Sequence, residues 1–333
     1  MNRAISERRH RLLCAGGLCL LLLVFSLSLL VGKYPLSLAQ MLAGNAMHIR
    51  IFLTLRLPRS AIAVLGGFGL GAAGYVFQTV FRNPLAAPDM IGVSSGASAG
   101  AAFAILFLPA TAVSVTLSAF AGGLLAVGIA LGLASLAPGR GGSSIVLAGI
   151  AVHAMAQTAL MALKLAADPE RQLASIEYWI MGSLSAITLR QIPFYCVVCL
   201  LGLIGIFLLH RQIILLSVEE SEARMLGVPV GRMRLLILIL ATFVVASVIS
   251  VTGVISFVGL LAPHIARMLM RDHRPSTLLL SGLLGSLLLT AADILARSVA
   301  SAELPVSIFT SLLGAPFLLY LIIKGNGGGS SDA

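Results

Sequence analysis

From Met90 to Gly139 the chain contains no Asp, Glu, Lys or Arg. A membrane-spanning helix needs about 20 apolar residues, so this interval holds two such helices and a short connection. The same bias runs along the whole chain: 59% of residues are hydrophobic, 10% are charged and the mean hydropathy is +1.04. A soluble domain keeps a charged surface, which this composition cannot supply. In hydrocarbon the backbone must satisfy its own hydrogen bonds, and long apolar runs do so as helices. The expected fold is an all-α polytopic membrane protein forming a single transmembrane domain over residues 1–333.

Hydropathy and helix breakers divide the chain into about ten spans, at roughly 12–32, 58–80, 89–108, 112–136, 144–166, 191–210, 233–252, 254–270, 276–296 and 305–324. Arg234 and Arg267 leave room for one full span and a remnant between them, so a helix meeting near Gly253 is short, tilted or broken. Ten spans return both termini to one side. Of the 22 Lys and Arg residues, 14 fall on that side and 8 opposite, so the positive-inside bias makes both termini cytoplasmic. The net charge of +10 thus reads as topology and not as a nucleic-acid footprint. Arg8, Arg9 and Arg11 before the apolar run Leu12–Val31 resemble the start of a cleaved leader. That run exceeds the usual apolar region of about 7–15 residues, which favours a retained first helix.

Three connections are longer than the rest. Gly32–Leu57 lies outside and carries Arg50 and Arg56. Asp168–Gln191, also outside, holds the only tryptophan, Trp179, at an expected membrane interface. Residues 217–234, SVEESEARMLGVPVGRMR, lie inside and form the most polar internal segment. Glu219, Glu220, Glu222 and Arg224 precede Leu226-Gly227 there, the pattern of a short helix ended by glycine. The tail 325–333 is rich in Gly and Ser and reads as flexible.

No phosphate-cradling loop ending in Gly-Lys-Ser or Gly-Lys-Thr is present, so an ATP-driven process needs its motor on another polypeptide. An ion-coupled carrier buries carboxylates in its spans; the candidate here, Asp293, has Arg297 four residues on, the spacing of a local ion pair. Gly92-Val93-Ser94-Ser95-Gly96 matches the nucleophile-elbow spacing of an intramembrane hydrolase, but that elbow needs a strand-to-helix turn, and close packing of small residues is the simpler reading. Cys14, Cys19, Cys196 and Cys199 all sit in apolar runs and read as core residues, and no metal-ligand set is apparent. The arginines Arg56, Arg59 and Arg297, on an outer face expected to hold few acidic neighbours, suit either solvated helix ends or an acidic patch on a soluble partner. Residues 219–234 are equally a solvated loop or a short helix seated in a cytoplasmic protein.

Long motifs in fixed order resolve these alternatives by likeness. RLPR at Arg56–Arg59, RNPLAAPDMIGVSSGAS at Arg82–Ser98, YWIMGSL at Tyr178–Leu184, EARMLGV at Glu222–Val228, GVISFVGLLAPHIAR at Gly253–Arg267, DHR at Asp272–Arg274, ADILAR from Ala292 and ELPVSIFTSLLGAP ending at Pro316 together resemble the FecCD-type permeases of ABC importers. The resemblance implies a type II importer permease of ten helices, paired with a second copy or a paralogue in the bacterial inner membrane. It implies two cytoplasmic ABC ATPases, which use ATP and Mg while this chain holds no cofactor, and a soluble or lipid-anchored substrate-binding protein. By the same resemblance Arg56, Arg59 and Arg297 dock the binding protein, and Glu219, Glu220, Glu222, Arg224, Leu226 and Gly227 couple to the ATPase. Asn83, Pro84, Leu85, Ser143 and Ser144 then form gates on the translocation path. The implied cargo is an iron chelate, with haem or cobalamin second, and an enzyme activity in this chain is not implied. Two positions depart from the family's usual pattern: Leu269-Met270-Arg271 where a glycine commonly precedes Asp-His-Arg, and Ser307 where glycine is frequent.

Overall fold

A computed structural model describes residues 2–32, 34–109, 111–137, 142–185, 187–272, 274–300 and 302–326. Lys33, Arg140 and the tail beyond 326, where the flexible segment is expected, lie outside the described residues. Among the described residues all regular structure is helical. The first helices are α1 (Asn2–Leu30), α2 (Leu38–Leu42), α3 (Ala46–Ile51), α4 (Leu57–Val80), α5 (Val93–Phe107), α6 (Ala112–Leu136) and α7 (Gly142–Ala166). They are followed by α8 (Ala174–Ile180), α9 (Ile192–Leu208), α10 (His210–Leu215), α11 (Glu220–Met225), α12 (Val230–Thr252), α13 (Val258–Met270), α14 (Pro275–Ser298) and α15 (Val306–Asn326). Among the described residues six stretches are long and apolar enough to cross a membrane, and four shorter apolar helices accompany them. These ten match the ten expected spans in order.

Side-chain contacts show how the helices alternate between two ends. Arg9 donates to the Leu269 carbonyl and His10 lies 3.3 Å from Asp272, so the start of α1 meets the end of α13. At the other end Arg297, late in α14, donates to the Ser28 carbonyl late in α1. There too Gln191, before α9, donates to Thr116 Oγ1 near the start of α6. The rings of His264 and Phe317 lie 5.9 Å apart, so α15 runs beside α13 back toward the Arg9 end.

Small residues bring the central helices together. A Cβ added at Gly67, Gly71 or Gly74 of α4 would lie 2.4, 2.1 or 1.8 Å from the carbonyl oxygen of Gly285, Ser281 or Gly259. Backbone contact of this kind is how helices associate where lipid removes the hydrophobic incentive. The Gly92–Gly96 stretch behaves likewise. A Cβ at Gly96 would be 2.5 Å from the Gly122 carbonyl oxygen, the Ser94 hydroxyl donates to the Asp89 carboxylate, and a 3-10 turn, Pro88–Ile91, precedes the helix where an elbow needs a strand.

Three expectations change in detail. The outer connection Gly32–Leu57 is not a plain loop. Ser37 and Asn45 cap α2 and α3 through hydrogen bonds to the Gln40 and Met47 amides, and a π-helical turn, Phe52–Arg56, leads into α4. Asp168 caps a second such turn, Pro169–Leu173, ahead of α8. Near Gly253 the short helix is α13, because Gly253 and Phe257 adopt φ of 71° and 68° and the backbone between them leaves the helix.

Candidate functional site

At the end of the bundle opposite the chain's start, three elements converge on one cluster. The π-helical turn delivers Arg56, the first turn of α4 delivers Arg59, and the last two turns of α14 deliver Asp293 and Arg297. Arg59 donates from Nε to Asp293 Oδ1 at 2.9 Å and from Nη1 to Glu303 Oε2 at 2.9 Å. Arg297 Nη2 lies 3.4 Å from Asp293 Oδ2 and donates to the Ser28 carbonyl at 2.9 Å and its hydroxyl at 2.5 Å. Ser28 Oγ is also 2.7 Å from Ser60 Oγ. Arg56 donates to the carbonyls of Val31 and Tyr34. Its guanidinium lies so close to Gly32 that a Cβ there would be 2.3 Å away.

Burial separates these groups. Asp293 is fully buried, Arg56 and Arg297 are 6% and 4% exposed, and the side chains of Arg59 and Glu303 keep 13% and 29%. The expectation of few acidic neighbours is corrected, since Asp293 and Glu303 both pair with Arg59. Three guanidinium groups against two carboxylates still leave one positive charge uncompensated. All three arginines and Glu303 line a cavity of about 250 Å³ with Tyr34 and Thr54. Glu303 and Ser28 carried no assigned role in the sequence. The available signal was an acidic residue just past α14, close in sequence to Asp293 and Arg297.

The segment 217–234 folds at the opposite end as α11 and its flanks. Val228 and Gly227 donate to the carbonyls of Ala223 and Arg224, and Gly227 has φ 80°, the geometry of a Schellman cap. Glu220 holds the helix in place, 2.7 Å from Arg224 Nη2 and 3.3 Å from buried Arg234 Nη2. Those bonds, Arg224's first, hold the Glu220 carboxyl below its ordinary range. Ala223 is buried, whereas Met225 and Leu226 are 80% and 63% exposed. Glu219, Glu222 and Arg224 also face outward.

Between α4 and α5 the helix stops at Arg82, whose φ is 49°. Asn83 Oδ1 then accepts from the Leu85 amide at 2.9 Å, a local turn that leaves Asn83, Pro84 and Leu85 exposed. Asn83 and Pro84 line a cavity of about 310 Å³ with Gln78, Arg82, Arg267 and Ser217, the first residue of the 217–234 segment. Ser143 and Ser144 open α7 beside a different cavity of about 540 Å³, whose lining includes Ile145 and Arg234. The structure therefore brings Asn83 and Pro84 beside Ser217, while neither Ser143 nor Ser144 lines the Asn83 cavity. Among the described residues no group of three or more His, Cys, Asp or Glu is placed to hold a metal.

The sequence profile of the FecCD transport family matches residues 20–324. The chain belongs to that family. It is thus a multi-pass membrane permease of the ABC importer type, a transport subunit. A chain described as an iron chelatin transport system permease in Helicobacter pylori is 37% identical over 281 residues, 83% of each chain. The hemin transport permease HmuU of Yersinia pestis is 37% identical over 340 residues, 97% of this chain and 98% of its own. The molybdate import permease MolB of Haemophilus influenzae is 33% identical over 336 residues, 95% of this chain and 97% of its own. Among solved structures, a transporter described as metal-chelate type, in an inward-facing conformation, matches with a TM-score of 0.84 and 32% identity. That match covers 95% of this chain and 99% of that one. It supports the ten-helix importer architecture expected from the sequence.

Both departures from the family's usual pattern acquire a structural meaning. Arg271 caps α13 with φ 59°, a left-handed conformation that glycine adopts at no steric cost. Ser307 donates from Oγ to the Val254 carbonyl at 2.7 Å, a bond that glycine cannot make.

Proposed function

We propose that this chain is the permease of an ATP-driven importer that carries an iron chelate, a ferric siderophore foremost, across a bacterial inner membrane by alternating access. The observation that carries the reading is the presence of two unlike surfaces at opposite ends of one bundle. One is the arginine cluster with an uncompensated positive charge; the other is an α11 whose apolar tip, Met225-Leu226, stands exposed among the described residues. The first suits the acidic lobes of a substrate-binding protein, docked through Arg56, Arg59 and Arg297. The second suits a groove on a cytoplasmic ATPase, which binds ATP and Mg and receives Glu219, Glu220, Glu222, Arg224, Leu226 and Gly227. On this reading both termini are cytoplasmic.

Closure of two such ATPases would move α11, and the cavity shared by Ser217, Asn83 and Pro84 lies next to it. Asn83, Pro84 and Leu85 would act as one inner gate and Ser143 and Ser144 as a second, on a path shared with a second copy or a paralogue. Haem or cobalamin is the second cargo reading, favoured by 37% identity to the hemin permease along nearly the whole chain. Mass spectrometry of the ligand carried by the binding protein that co-purifies with the complex tests the cargo. An iron chelate is the expected result, and a bare oxyanion such as the molybdate named for the Haemophilus influenzae relative would overturn it.

A further inference from the structure

In the arginine cluster the two carboxylates stand in different positions. Asp293 is fully buried and bridges Arg59 and Arg297 across two helices. Removing it from its partners would strand buried charge, which is costly. Glu303 instead lies past the end of α14, keeps 29% of its side chain exposed and makes one ion pair, to Arg59 Nη1. An ion pair with that much solvent contact is worth little and can be given up. Arg56 and Arg297 are committed to carbonyls of residues 28–34, contacts that hold the outer end of α1. Only Arg59 therefore has a partner it can exchange.

We propose that Glu303 is an internal stand-in for the docking carboxylate: it occupies Arg59 Nη1 in the free permease and is displaced by a carboxylate of the binding protein. The proposal rests on the docking reading given above and refines it. Arg59 becomes the exchanging contact, with Arg56 and Arg297 as the scaffold that holds it. Such an exchange keeps Arg59 paired in both states, so no guanidinium is left bare when the partner leaves. It also makes docking reversible, because each new ion pair is formed at the expense of an existing one. Once displaced, Glu303 is free to swing into solvent.

The test uses the full permease–ATPase complex in lipid nanodiscs and, as probe, the binding protein that co-purifies with the wild-type complex, with affinity read by surface plasmon resonance. Glu303→Gln should tighten docking about two- to fivefold, the range expected for loss of one partly exposed ion pair. The gain should vanish when Arg59→Gln is present, and Glu303→Asp, which keeps the charge on a shorter arm, should fall between. Arg59→Gln alone should weaken docking about tenfold or more. If Arg59→Gln weakens docking while Glu303→Gln leaves it unchanged or weakens it, the exchange is wrong and the docking reading stands. If Arg59→Gln leaves docking unchanged, the docking reading fails and the exchange with it. Thermal stability of the Glu303 variants, expected to stay near wild type because Asp293 still pairs Arg59, separates a binding effect from misfolding; Arg59→Gln leaves Asp293 with Arg297 alone, so its affinity is read on complex shown by size-exclusion chromatography to remain assembled.

Discussion

The two ends of the bundle treat charge in opposite ways. At the Arg56 end, charged groups are buried and tied to distant parts of the chain, with Arg59 reaching Asp293 and Glu303 on and beyond α14. At the other end Glu220 of α11 pairs with Arg224 and Arg234, 4 and 14 positions away, and an apolar tip, Met225-Leu226, faces outward beside Glu219, Glu222 and Arg224. A count of basic residues treats these surfaces alike, yet one presents a net positive charge held in a rigid frame and the other presents hydrophobic area. The number of charges in a segment says less about its partner than how far those charges are already spent inside the fold.

Breaking the frame should give the largest effect. Asp293→Ala leaves Arg59 and Arg297 without their shared carboxylate, and destabilisation of about 3–5 kcal/mol is expected from an uncompensated buried charge. The midpoint of thermal unfolding in detergent measures it; a shift close to zero would mean the cluster is not the anchor described. The apolar tip should matter next, and in a different observable. Leu226→Asp removes a contact of about 1.5–3 kcal/mol, so ATPase association should fall roughly ten- to a hundredfold. Stability should hardly change, since Leu226 is 63% exposed; an unaltered ATPase affinity would remove α11 from the interface.

Much of the architecture was legible because span length is dictated by membrane thickness. Expected spans at 58–80 and 112–136 coincide with α4 and α6 to within a residue. Helix α1 was read too short: its Arg8–Arg11 turn is charged, and hydropathy sees only the apolar part of a helix that continues beyond it. The short α2 and α3 were missed because Ser37 and Asn45 cap helices of 5 and 6 residues, too brief to leave a periodic pattern. The roles of Asp293 and Glu303 were hidden for another reason. Their partner Arg59 lies more than 230 positions away, and no local pattern carries that pairing.

Two smaller effects sharpen the contrast at the Glu220 end. Arg271→Gly should stabilise the protein by about 1 kcal/mol, since glycine removes the steric cost of a left-handed side-chain residue; a lower unfolding midpoint would show that the Arg271 side chain supplies more than its backbone costs. Acidification should act most gently. Glu220 titrates below its ordinary value in the folded chain, so its contribution is present above that ordinary value and is lost as pH falls through the lower one. Hydrogen exchange of residues 219–228 should therefore accelerate relative to the intrinsic rate below about pH 4. Glu220→Gln should remove that pH dependence.

The break after α12 has a mechanical consequence. A Cβ at Gly253 would be 2.1 Å from the Trp179 carbonyl oxygen and one at Gly182 2.1 Å from that of Val254. Ser183 and Val306 donate to the carbonyls of Thr252 and Gly182, and Ser307 to that of Val254. The non-helical joint is riveted to α8 and to the start of α15. From that joint α13 runs to the end that Arg9 of α1 contacts at the Leu269 carbonyl, and it carries Arg267 beside the Asn83 turn. Any movement of that joint would be carried along α13 as a unit, into the cavity that Arg267 lines with Asn83 and Ser217.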